Sequence, residues 1–206
     1  MNLLIATTNQ GKIREFRDML GVFPGIGLTD LTEHRSLPDV QETGRTFRDN
    51  ACIKASAYAR ALGRWALADD SGLEVDHLSG KPGIYSARWA ELHKAGSGNA
   101  DNNALLLQQL KGVADHQRTA AYICVLALAD AQGNVILTAE GTVQGQILSE
   151  LRGQGGFGYD PLFFIESLGK TTGELAAAEK HRISHRGYAL RRLASLMKRL
   201  NLAALA

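Results

Sequence analysis

Cysteine is nearly absent: Cys52 and Cys124 are the only two in 206 residues, with no CxxC pair and no metal-type spacing around them. That excludes a disulfide-stapled scaffold and reads as two buried thiols in a reducing compartment. A surplus of one charge is also missing. Basic side chains number 23 and acidic ones 21, a net charge of +2 too small to argue for a nucleic-acid or membrane partner. No apolar run approaches the roughly 18 residues of a membrane span. The opening "MNLLIATTNQ" lacks the charged leader and long apolar stretch of a signal peptide. The six histidines show no HExxH or similar ligand spacing, and no repeat or low-complexity segment interrupts the chain. Hydrophobic content of 45% with 21% charged residues describes a globular protein, expected in the cytoplasm. At this length one domain over residues 1–206 or two lobes would both be ordinary.

What is present is an alternation of short apolar runs and amphipathic segments. Met1–Ala6 reads as a strand, and "TTNQGK" turns it into a helix over Lys12–Leu20 with Ile13, Phe16 and Leu20 on one face. Ile26–Leu31 reads as a second strand. Thr46 has the character of an N-cap for a helix to about Leu62, with Phe47, Ala51, Ala55, Tyr58 and Leu62 on its apolar side. Trp65–Ala68 is a strand, ended by what reads as a turn at Asp69-Asp70-Ser71-Gly72. A Gly/Pro-rich connection over 78–90 precedes a helix near Ala100–Leu110. Thr119–Asp130 and Val135–Gly145 predict a hairpin across "AQGN". "RGQGGFGYDP" is a loop, Leu162–Ile165 a short strand, and Gly187 to about Leu200 a final helix burying Tyr188, Leu190, Leu193, Met197 and Leu200. Such an order predicts an α/β fold with a mixed sheet.

Four segments carry chemistry-bearing groups. "ATTNQGK" is a strand-to-helix turn ending in Lys12, where unpaired amides and a positive dipole end suit a phosphate. It is not a Walker A loop, because Ile13 stands where Ser or Thr would hold magnesium. Taken alone, an ordinary capped turn explains it better than a phosphate site does. "QETGRTFRDNACIKA" offers Glu42 in a loop and Lys54 on the following helix. Glu42 and Asp70 make a sufficient carboxylate pair for Mg²⁺ if the fold brings them together, since this ion is held by one or two carboxylates plus substrate phosphates. In a continuing strand Asp69 and Asp70 point to opposite sides and serve different roles. "GQGGFGYDPLFF" combines glycines with Phe157 and Tyr159, flat faces for a base, and Asp160, an acceptor for ring N–H groups. "EKHRISHRGYAL" supplies Lys180, His185 and Arg186 ahead of a helix.

The motifs "ATTNQGKIREF", "ETGRTFRDNACIKA", "LADDSGLEVDHLSGKPGIYSARWA", "GQGGFGYDPLFF" and "AEKHRISHRGYAL" run in order from residue 5 to about residue 191. Together they resemble the inosine/xanthosine triphosphate pyrophosphatase family. The resemblance implies an α/β fold with an elongated mixed β-sheet flanked by helices, two lobes around a central substrate cleft, and a homodimer. It implies Mg²⁺-dependent cleavage between the α and β phosphates of ITP, dITP or XTP. Carried over, the phosphate loop is Thr7, Thr8, Asn9, Gln10, Gly11 and Lys12. Asp70 is catalytic and metal-holding, with Glu42 as the second metal ligand and Ser71 beside the substrate. Phe157, Gly158, Tyr159 and Asp160 form the base-recognition segment, and Lys54, Lys180, His185 and Arg186 complete the substrate shell. Asp49 departs from the Glu common at its position, while Asn50-Ala51 is kept. Residues 91–104 match loosely and receive no role.

On that basis Asp70 accepts the proton of the attacking water, directly or through the metal. Lys12, Lys54 and Lys180 act as point charges on the phosphates. Hypoxanthine and xanthine present an acceptor at position 6 and a donor at N1. Adenine reverses both, so a site built for the first pattern leaves buried groups unpaired with ATP. His185 and Arg186 are the expected donors to the 6-oxygen. Two rivals share parts of the pattern: a nucleoside triphosphatase that releases orthophosphate, and a nucleotide- or RNA-binding module using "RRLASLMKRL" at 191–200 as a basic face.

Overall fold

The computed structural model describes residues 2–21, 26–34 and 37–200; Met1, placed at the head of the first expected strand, lies outside them. Strands are β1 (Asn2–Ile5), β2 (Gly27–Asp30), β3 (Trp65–Val75), β4 (Lys81–Pro82), β5 (Thr119–Ala129), β6 (Val135–Ile147), β7 (Phe163–Ile165) and β8 (Lys170–Thr171). Helices are α1 (Gln10–Leu20), α2 (Phe47–Leu62), α3 (Trp89–Leu92), α4 (Gly98–Gln109), α5 (Ala177–Ile183) and α6 (His185–Arg199). The strands form one eight-stranded mixed sheet in the order β2-β1-β3-β5-β6-β7-β8, with β4 on β3. β1 pairs parallel with β2 and β3, setting Leu3 opposite Trp65 and Ile5 opposite Leu67, whereas β6–β7 and β7–β8 are antiparallel.

Local chemistry sets the element ends. Thr46 caps α2 in a reciprocal box: its hydroxyl accepts from the Asp49 N–H at 3.1 Å, and the Asp49 carboxylate accepts from the Thr46 N–H at 3.1 Å. Gly63, at φ +61°, ends the helix in the left-handed region where a side chain would be strained. The turn after β5 closes on Asp130, whose carboxylate accepts from the Gln132 and Asn134 N–H groups at 3.0 and 2.9 Å.

One expected boundary is overturned. β3 does not stop at Ala68; it continues through Asp69-Asp70-Ser71-Gly72 to Val75. Turn-type residues remain extended here because the strand alternation sends the two carboxylates to different cationic partners, and Leu73 and Val75 then resume the buried pattern. The final helix also differs in part: Leu190 and Leu193 are buried as expected, but Tyr188 is 44% and Leu200 54% exposed.

The chain divides into two compact units. Unit 1 comprises Met1–Asp70, Cys124–Gly141 and Arg186–Ala206; unit 2 comprises Ser71–Ile123 and Thr142–His185. In unit 1, α1 lays Phe16 and Leu20, and α6 lays Leu190 and Leu193, against Leu3, Ile5, Leu67, Leu126 and Leu128 of the strands. In unit 2, Leu106 and Leu110 pack with Leu73, Val75, Tyr122, Ile147, Tyr159, Leu162 and Phe163. Each unit thus buries its own apolar face, so the polar groups below sit on a rigid frame.

Candidate active site

In unit 1, β1 delivers the chain into α1 through Thr7–Asn9. Asn9 is the N-cap, its side chain accepting from the Lys12 N–H at 3.1 Å, while its own N–H donates to the Thr7 hydroxyl at 3.2 Å. Thr8, Asn9 and Gln10 are exposed and Gly11 is buried. The first-turn amides of a helix have no intrahelical acceptor, so Gln10 and Gly11 offer theirs at the positive end of the dipole. The Lys12 ammonium sits 3.0 Å from Asp69.

Asp69 and Asp70 leave β3 on opposite sides. Asp69 is fully buried and also faces Arg186 at 3.5 Å; Arg186 in turn pairs with Glu15 of α1. Burial alone would raise the Asp69 pKa, but Lys12, Arg186 and Lys54 outweigh it and hold the carboxyl well below its usual range. Asp70 contacts different groups: the Lys54 ammonium at 3.1 Å and the Asn50 amide at 3.2 Å. Lys54 also meets Glu42 at 2.6 Å. For Asp70, burial dominates over the attraction of Lys54 and Lys12, Glu42 adds repulsion, and the pKa is raised above the usual aspartate range. Lys54 is itself disfavoured by burial, yet Asp70, Asp69 and Glu42 raise its pKa. The result is a basic carboxylate beside a firmly charged ammonium.

In unit 2, the loop before β7 is organised by Asp160, which is buried. It accepts from the Phe157 N–H at 2.7 Å and the Thr172 hydroxyl at 2.9 Å, and pairs with the Lys180 ammonium at 2.7 Å. Lys180 also lies 5.0 Å from the centre of the Phe157 ring. Tyr159 belongs to the unit 2 core and donates to the Ser86 carbonyl at 2.9 Å. His185, also buried, stacks on Tyr122 with centroids 4.7 Å apart. Ser71, half-buried, follows Asp70 directly on β3.

A family model described as the Ham1 family matches residues 3–196. The chain belongs to the Ham1 family. A dITP/XTP pyrophosphatase of Exiguobacterium sibiricum is 48% identical over 193 residues, spanning 94% of this chain and 95% of that protein. One from Bacillus subtilis is 43% identical over 195 residues, spanning 95% and 96%. Among solved structures, the Staphylococcus aureus Ham1 protein superposes with a TM-score of 0.82 at 38% identity, covering 96% of this chain and 98% of that one. A HAM1 protein from Coxiella burnetii gives 0.83 at 37% identity, covering 97% and 99%.

Within this Ham1 chain the sequence expectations sort by unit. In unit 1, Glu42 and Asp70 meet on the one Lys54 ammonium, and Lys12, at the end of the Thr7–Lys12 turn, meets Asp69, the neighbour of Asp70 on β3. The unit 2 set, Phe157–Asp160 with Lys180, is also assembled, but two members have other work. Tyr159 is core rather than a free face for a base, and Asp160 is occupied in holding the loop. Arg186, 1% exposed, stands between Glu15 and Asp69 and reaches a base only by giving up those pairs.

Glu15 and Asn103 were overlooked, and Asn50 was named only in the kept Asn50-Ala51 pair, with no role. Glu15 was legible as an acid beside the core residue Phe16 and one turn from Lys12, a position where burial demands a cation. Asn103, buried in α4, donates to the Gly158 carbonyl at 3.1 Å; adjacent Asn102-Asn103 inside a helical run is the signal, since asparagine is a poor interior helix former. The loop also has a backbone requirement. Gly156 has φ +73°, and a Cβ there would fall 2.0 Å from an Asp160 carboxylate oxygen. Gly156→Ala is therefore expected to cost at least about 2 kcal/mol. Thermal unfolding should show a midpoint lowered by about 4 °C or more, and an unchanged midpoint would contradict the tight packing of the loop on Asp160.

Proposed function

We propose that this chain hydrolyses deaminated purine nucleoside triphosphates, ITP, dITP and XTP, to the nucleoside monophosphate and pyrophosphate. Such hydrolysis clears them from the nucleotide pool before they enter DNA or RNA. The observation that carries the reading is the environment of Asp70: a buried carboxylate of raised basicity, shared with Glu42 on the Lys54 ammonium. The dITP/XTP pyrophosphatases at 43–48% identity support the same substrate class. Mg²⁺ as cofactor, a homodimer and a cytoplasmic location come with the reading through the family resemblance.

The donor set fits the proposed ion. Glu42 and Asp70 both pair with one cation, at 2.6 and 3.1 Å from the Lys54 nitrogen, so the two carboxylates face a common cationic position. Among the described residues no group of three or more His, Cys, Asp or Glu could hold a metal, and an ion here takes its remaining oxygens from phosphate and water. When bound, Mg²⁺ held by Glu42 and Asp70 supplies charge neutralisation at the phosphates. The remaining steps belong to the chain. The α1 amides and Lys12 bind the phosphate tail, and Lys54 adds a compact positive charge. Asp70 accepts the proton of a water aimed at the α-phosphorus, and pyrophosphate leaves. In unit 2 Lys180 lies over Phe157 and His185 is fixed by its stack on Tyr122; the base is assigned to these residues and 158–160 through the family resemblance.

The test is product identity. ITP incubated with the protein and Mg²⁺ should yield IMP and pyrophosphate in equal amounts, read by phosphorus NMR. Orthophosphate with IDP would replace this reading by the rival triphosphatase.

A further inference from the structure

The geometry points to Asn50 as a positioning residue for Asp70, one that also ties the loop carrying Glu42 to it; this rests on the reading of Asp70 given above. Asn50 is completely buried on the first turns of α2. Its amide nitrogen donates to Asp70 Oδ2 at 3.2 Å, and its amide oxygen accepts from the Gly44 N–H at 2.8 Å. Lys54 lies four residues on, on the same helix face, and takes Asp70 Oδ1 at 3.1 Å and Glu42 at 2.6 Å. One helix edge thus presents two donors to the two oxygens of a single carboxylate, which sets the plane in which Asp70 lies.

The amide cannot turn over without placing its NH₂ against the Gly44 N–H and its oxygen against Asp70. Its orientation is therefore locked by the loop. The loop in turn needs glycine: a Cβ at Gly44 would fall 2.6 Å from the Asn50 oxygen and 2.5 Å from Asp49 Cβ. Because α2 is started by the Thr46–Asp49 box, the position of Asn50 is fixed independently of Asp70. A neutral donor also steadies the carboxylate without cancelling its charge, as a second lysine there would.

Asn50→Ala should lower kcat for ITP by about 100-fold while KM stays within about threefold, the signature of a misplaced reacting group. A folded Asn50→Ala protein with kcat within about threefold of the parent overturns the inference. So does a loss that falls on KM alone, or one that merely tracks the folded fraction in thermal unfolding. Should Asn50→Ala fail to fold, Gly44→Ala reaches the same tether from the loop side and should lower kcat about tenfold or more, again at near-constant KM; unchanged kcat there overturns the inference equally. Asp70→Asn assayed beside them separates the two ideas. If it keeps turnover, the reading of Asp70 fails and Asn50 falls with it. If it is inactive while Asn50→Ala is normal, only the role of Asn50 is lost.

Discussion

Asp70→Asn lowers kcat by about 10³–10⁴-fold, toward the upper end of what a general base contributes, and leaves the protein folded. The substitution is isosteric, but an amide has one oxygen where Asp70 offers two acceptors, one to Lys54 and one to Asn50. One of those donors then faces an NH₂ group, and the negative charge that would take a proton or share an ion with Glu42 is gone. Stability responds differently. Burial raises the Asp70 pKa above the value of 3.8, so the folded state favours the protonated form more than the unfolded state does. The stability tied to that preference is present at low pH and lost as pH rises through the folded pKa. At neutral pH the ionised carboxylate is therefore a cost to folding, which Asn does not carry. Turnover should collapse while the thermal midpoint stays level or rises. A variant with near-normal kcat removes Asp70 from the chemistry; one that unfolds would mean its charge is needed for the fold.

How much of this was legible follows from the range of each interaction. The helix start at Thr46 was readable because capping is local, decided by residues within three positions, whereas the first helix, expected from Lys12, begins at Gln10 on the Asn9 cap. The hairpin of β5 and β6 was readable for the same reason, through the turn at Asp130–Asn134. The end of β3 was misread because Asp69-Asp70-Ser71-Gly72 has turn-like composition, and what keeps it extended lies far away in sequence. Lys12, Lys54 and Arg186 come from three other elements to receive the charges. The site shows the same division. Residue types that a triphosphate needs could be named from their motifs, but not that Asp160 spends its carboxylate on Phe157 and Lys180, or that Tyr159 is core. Those assignments depend on which side of a loop packs inward, and a glycine-rich loop carries no periodicity to reveal it.

The largest stability effect is expected at Arg186. Its guanidinium, 1% exposed, is the cation that Glu15 and Asp69 share in the interior of unit 1. Arg186→Met keeps much of the volume and removes the charge, so two buried carboxylates lose their common partner. Breaking a buried ionic group from one side costs about 3–5 kcal/mol, which for a chain of this size lowers the midpoint by about 10 °C. The loss should depend on pH with a definite sign. In the parent, burial opposes the Asp69 charge, but Lys12, Arg186 and Lys54 hold its pKa well below the carboxylate range. A carboxylate depressed in this way contributes stability above its unfolded pKa and loses it only as pH falls through the folded one. In the variant that depression is weakened, and protonation on acidification relieves the stranded charge. The gap between parent and variant midpoints should therefore be widest near neutrality and narrow as pH falls through about 4. Adding Glu15→Leu to Arg186→Met removes one of the two acids deprived of the guanidinium and should recover part of the loss. A gap that stays constant from pH 7 to 3, with no recovery in the double variant, would mean that Arg186 stabilises by packing on Phe16, whose ring lies 5.8 Å from its guanidinium carbon, rather than by charge. If charge is the cause, KM for ITP should rise as well, because Asp69 is also what holds Lys12, at 3.0 Å, beside the turn proposed to bind phosphate.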